Sequence, residues 1–170
     1  RNLGGWGIDL HIHDNHFIAY ACGRPSSVYS RGLLQDGFVN HVHTSYAWGS
    51  DGPAVTCVSG GIAAGGLQFG HAFEFYFERA TLLFEAGTYA GEWHVDRPLS
   101  LVLNDGTITS PQLDVSDSWC AAFTEELKTV AASLKSGAPA GALDAQAALD
   151  ALEICYAEAK SIESGEVTAV

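Results

Sequence analysis

The 170-residue sequence predicts an α+β fold: an open, predominantly antiparallel β-sheet with helices packed on one face. Three observations carry that expectation. Helical periodicity is confined to the two ends of the chain. Between them, residues 27–113 are rich in β-branched and aromatic side chains, and Asp-Gly pairs at 36–37, 51–52 and 105–106 punctuate this stretch as hairpin turns do. The length suits a single domain spanning 1–170.

Residues 9–22 put Ile12, Asn15, His16 and Ala19 on one helical face, and Gly23 and Pro25 stop the run, which predicts a helix of about three turns. Strands are expected at 27–34, 38–48, 54–60, 71–78, 80–86, 99–103 and 107–110, the last two joined by the Asn104-Asp105-Gly106 turn. Trp119, Phe123, Leu127, Val130 and Leu134 recur at spacings of three and four, predicting a helix capped by Ser116 or Asp117 and ended by Gly137. A last helix should start near Asp144, present Leu149, Leu152, Tyr156 and Ala159 on one face, and end before Gly165.

Acidic residues outnumber basic ones 20 to 8, a net charge of -12 that repels phosphate backbones and argues against a nucleic-acid partner. No window approaches the ~18 apolar residues of a membrane span, and the first residues lack a charged-then-apolar leader, so no membrane partner is expected. Cys22, Cys57, Cys120 and Cys155 are far apart and form no C-x-x-C pair, so they read as buried free thiols of a reducing compartment, and a cytoplasmic location follows. The chain contains no Met, even at position 1, and reads as a fragment or processed piece.

The densest polar group runs from Gly4 to His16. Asp9 and His13 are four apart, so on a helix a carboxylate can orient an imidazole and raise its basicity, the pairing a general base needs. Trp6, just before them, is a core residue or the wall of a pocket. No metal site is expected, because His11 and His13 point to different helix faces, and His41 and His43, which share a side of a strand, lack a nearby acidic third ligand. The glycine run 60–66 fits neither G-x-G-x-x-G nor a P-loop, and reads as a bulge or a close strand crossing.

Gly4-Gly5-Trp6-Gly7-Ile8-Asp9-Leu10-His11-Ile12-His13-Asp14, followed by Gly23-Arg24-Pro25 and Val28, resembles the opening of the C-terminal domain of Gfo/Idh/MocA oxidoreductases, which reads approximately G-G-x-x-x-D-x-x-x-H-D and then G-x-P-x-x-V. The closing stretch, from Ala148-Leu149 through Ser161 to Gly165 and Val167, is similar to that family's last helix and its ending. The resemblance implies a Rossmann domain that binds NAD or NADP, with a Lys from its E-K-P motif joining an Asp and a His of the C-terminal domain around the substrate. By position these are Asp9 and His13, and this chain holds neither G-x-G-x-x-G nor E-K-P. It therefore resembles the substrate half only, with the Rossmann domain absent from this chain.

The implied activity is hydride transfer to or from a sugar, cyclitol or related polyol. His13 would exchange the hydroxyl proton, Asp9 would hold its ring, and Trp6 would face the substrate. The isolated chain would bind no nicotinamide nucleotide and would be inactive. A homo-oligomer through the sheet face is expected. Asn15-His16 departs from the family's apolar residue followed by Asp. The alternative is a non-catalytic oligomerisation or binding domain of the same fold.

Overall fold

The computed structural model describes residues 4–113 and 120–170. Ser116, Asp117 and Trp119, invoked above for the start of a helix, lie outside the described residues. In chain order the elements are α1 (Trp6–Asp9), α2 (His11–Cys22), β1 (Ser27–Gln35), β2 (Phe38–Ala47), β3 (Val55–Gly60), β4 (Leu67–Tyr76), β5 (Ala80–Tyr89), β6 (Glu92–Leu103), β7 (Ile108–Thr109), α3 (Ala121–Ser136), α4 (Ala145–Ser164) and β8 (Thr168–Ala169). The α+β class stands, but the strands form two four-stranded antiparallel sheets where one was expected, and the chain divides into two compact units.

The first unit comprises Arg1–Ile62 and Trp119–Val170. Its sheet runs β3-β2-β1-β8, and the β1–β2 hairpin turns at Asp36-Gly37, both at positive φ (54° and 81°), as a two-residue turn with matching twist requires. The register sets Val28 opposite Tyr46, Ser30 opposite Thr44 and Thr44 opposite Cys57, so these side chains share the inner face. Against that face pack α2 and α4, and Ile18, Val28, Tyr46, Ile154 and Ala157 form the core. Burying a side chain such as Ile154 contributes about 1.5–3 kcal/mol.

The helix α4 turns a different face inward from the one its apolar periodicity suggested, whereas α2 turns its expected face inward, with Asn15 buried and Ile12, His16 and Ala19 half-buried. On α2 the buried residues are His11, Asn15 and Ile18, and on α4 they are Ala151, Ile154, Cys155, Ala157, Glu158 and Ser161, while Leu149 and Tyr156 are exposed. On α4, Glu158 and Ser161 take core positions that an apolar count does not mark. The ends of α4 are as expected: the Asp144 side chain accepts from the Gln146 N–H, and Gly165 closes the helix in a left-handed conformation. Gly137 ends α3 in the same way. No described residue of α3 is buried; Leu127 and Leu134 of its apolar stripe are exposed.

The second unit, Ala63–Ser118, is the sheet β4-β5-β6-β7. One face sets Phe73 opposite Phe84 and Phe75 opposite Leu82; the other carries Arg97, whose guanidinium donates to Glu74 at 2.7 Å and lies 3.9 Å from Glu85. The strand β6 begins at Glu92, seven residues before the expected 99, after a turn at Ala90-Gly91 with both residues at positive φ.

Candidate functional site

The N-terminal helical stretch is interrupted. At Leu10 the backbone sits at φ -110°, α1 ends before it and α2 begins after it, and the His13 N–H bonds to the Leu10 carbonyl at 3.1 Å. Asp9 and His13 stand on either side of this break, both exposed, and among the described residues no hydrogen bond or ion pair joins them. Trp6 is also exposed, at 45%, and its indole lies against the backbone of Gly61: a Cβ there would come within 2.0 Å of the Trp6 Nε1. Gly60 is similarly tight, since its Cβ would meet the Asn40 carbonyl and His41 at 2.7 Å. These two glycines mark the close approach that the glycine run suggested.

The opposite side of α2 holds a buried polar network. Glu158 of α4 is 2% exposed, and both of its carboxylate oxygens are engaged. Oε2 accepts from Asn15 Nδ2 at 2.7 Å; Oε1 accepts from Tyr46 Oη at 3.0 Å and faces His11 Nε2 at 3.0 Å. Tyr46 Oη also donates to Asn15 Oδ1 at 2.7 Å, and Asn15 Nδ2 reaches the sulfur of Cys155 at 3.3 Å. A carboxylate this deep is tolerated only when it is paired and hydrogen-bonded.

Burial alone would lower the pKa of His11. Hydrogen bonds with Asp14, Cys57 and Glu158, and the Glu158 charge, outweigh it and push the value up to about 12. Burial and the neighbouring Glu158 charge push the Tyr46 phenol up, so it stays a donor. Burial likewise raises the Cys155 thiol to about 11. The sequence named His11 and Asn15 without their role, and missed Tyr46 and Glu158. The one local signal was the i,i+4 spacing of His11 and Asn15; the partner carboxylate lies 147 residues away in the chain.

The cysteines are all free, but only Cys155 is buried, while Cys22, Cys57 and Cys120 are half-buried. Burial was expected of all four; Cys57 instead lies beside His11 and Asp14, where three metal-ligating side chains converge. His43 is exposed and pairs in register with Arg31, while His41 has a buried Nδ1 without a hydrogen-bond partner among the described residues. For a dinucleotide, a glycine turn must open onto a helix N-terminus so that backbone N–H groups meet the pyrophosphate. Here Gly60 and Gly61 close against Asn40, His41 and Trp6, and the run leads into β4, so the described residues do not form such a cradle.

No protein-family model and no curated protein matches the chain. Solved structures do share its fold. The WlbA dehydrogenase from Bordetella pertussis, in complex with NADH and UDP-GlcNAcA, matches at 15% identity and a TM-score of 0.67 over 98% of this chain and 46% of its own. An oxidoreductase from Agrobacterium radiobacter, in complex with NAD+, L-tartaric acid and magnesium, matches at 15% identity and a TM-score of 0.65 over 95% of this chain and 48% of its own. A myo-inositol dehydrogenase from Corynebacterium glutamicum matches at 16% identity and a TM-score of 0.56 over 98% of this chain and 50% of its own. The chain thus spans about half the length of the structures it resembles. No helix among the described residues is long and apolar enough to cross a membrane.

Proposed function

We propose that this chain is the substrate-binding half of an NAD(P)-dependent oxidoreductase of the Gfo/Idh/MocA type, acting on a sugar, cyclitol or related polyol. The observation that carries the reading is the match of nearly the whole chain to half of a dehydrogenase solved with NADH and half of an oxidoreductase solved with NAD+. The dinucleotide belongs to a Rossmann domain outside this chain and supplies the redox chemistry. His13 takes and returns the proton of the substrate hydroxyl, Asp9 orients its ring, and Trp6 faces the sugar. The exposure of all three supports this, because a base that serves a substrate shared with another domain has to stand at the surface.

The exposed apolar residues Phe69 and Trp93 on one face of the second sheet support a homo-oligomer. The same surfaces would suit the non-catalytic binding domain, and turnover separates the two readings. In a protein joining this chain to its nucleotide-binding half, His13→Ala should lower polyol-dependent NAD(P)+ reduction by roughly 10²–10⁴-fold. Unchanged turnover would overturn the assignment.

A further inference from the structure

His11 and Asp14 lie one helical turn apart on α2, and Cys57 approaches the same point from β3. One ligand atom from each residue, an imidazole nitrogen, a carboxylate oxygen and a sulfur, lies within 4.8 Å of the other two. The separation of His11 Nδ1 from Asp14 Oδ2 is 3.3 Å. That distance lies within hydrogen-bond range, so the pair is hydrogen-bonded when no metal competes for Nδ1. The same distance matches the edge of a tetrahedron built on zinc–nitrogen and zinc–oxygen bonds of about 2.0–2.1 Å, which is about 3.3 Å.

The other ring nitrogen of His11 is already committed. Nε2 faces Glu158 Oε1 at 3.0 Å, and Glu158 is itself held by Asn15 and Tyr46. A metal-binding histidine characteristically gives its second N–H to a carboxylate, which fixes the tautomer and the ring.

We propose that His11 Nδ1, the Asp14 carboxylate and the Cys57 sulfur form a three-ligand site for Zn2+, with Glu158 as its supporting carboxylate. A thiolate with an imidazole selects a borderline-soft cation over magnesium or calcium. A water would complete the coordination, reaching the site past the Asp14 side chain, which is 44% exposed. On binding, the Cys57 S–H and the His11 Nδ1–H bonds both break and the Zn–S and Zn–N bonds form; the two protons leave to solvent, and the remaining ring proton stays on Nε2, donated to Glu158. No electron is transferred. Neither Asp9 nor His13 is among its ligands, so the proposal stands independently of the catalytic reading.

The test is titration of the metal-free, reduced chain with Co2+ and then Zn2+. One equivalent of Co2+ should bind with a thiolate-to-cobalt charge-transfer band, and one equivalent of Zn2+ should displace it. Cys57→Ser should abolish the band, and Glu158→Gln should weaken Zn2+ binding roughly 10–100-fold in calorimetry. Asp14→Asn, at a partly exposed position that folding tolerates, should weaken it at least as much. Absence of stoichiometric binding, a band that survives Cys57→Ser, or unchanged affinity in Asp14→Asn would each overturn the proposal.

Discussion

Glu158 shows how a single buried carboxylate can dictate its surroundings. Its oxygens take donors from α2 and β2, and losing any one leaves a charge inside the protein short of a partner. Tyr46→Phe keeps the ring in the core and removes only the hydroxyl that serves Glu158 and Asn15. It should destabilise the chain by about 1–3 kcal/mol in urea unfolding. Ser45→Ala, on an exposed neighbour, should stay within about 0.5 kcal/mol. At this scale the sequence was only partly legible. Asp9, His13 and Trp6 could be proposed from local spacing and resemblance alone, whereas the His11–Glu158 pair joins residues that only the tertiary fold brings together. Apolar periodicity failed on α4 for the same reason: Glu158 and Ser161 are polar residues in core positions, invisible to a hydrophobic count.

Among the elements, those with chemically marked ends were the most legible. Asp144, Gly137 and Gly165 delimit helices where expected, and Asp36-Gly37 makes its hairpin, because caps and turns depend on the residues that form them. The start of β6 was missed because Ala90 carries no turn signal: it holds φ 49° without glycine's freedom or a short polar side chain. Pro98 also masks the strand, and it is accommodated where the β5–β6 register shifts between Leu83 and Glu85. Ala90→Gly should relieve the left-handed strain and stabilise the chain by roughly 0.5–1 kcal/mol, read as a rise in the thermal midpoint. A fall would mean that the turn is held by contacts of the Ala90 methyl group.

For the whole molecule, the α+β class was legible from composition and turn spacing, but its division into two sheets was not. Strand signals report that a segment is extended, and pairing partners are chosen by packing. The apolar face of the second sheet, with Phe69 and Trp93 exposed, is the surface on which the proposed self-association rests. Light scattering at tens of micromolar should give a dimer or larger species, and since the chain carries a net charge of -12, the assembled fraction should grow as added salt screens repulsion between copies. A monomer at all salt concentrations would count against it.

The burial of Cys155 makes the chain a carrier of its own chemical clock. Alkylating reagents attack thiolates, and burial raises the Cys155 pKa to about 11, so at pH 8 the group is held as the thiol, in a residue only 3% exposed. Modification at this position therefore requires the α2–α4 contact to part, so the rate at which its mass tag accumulates counts opening events, with the half-buried Cys22, Cys57 and Cys120 reporting more superficial motions in the same sample.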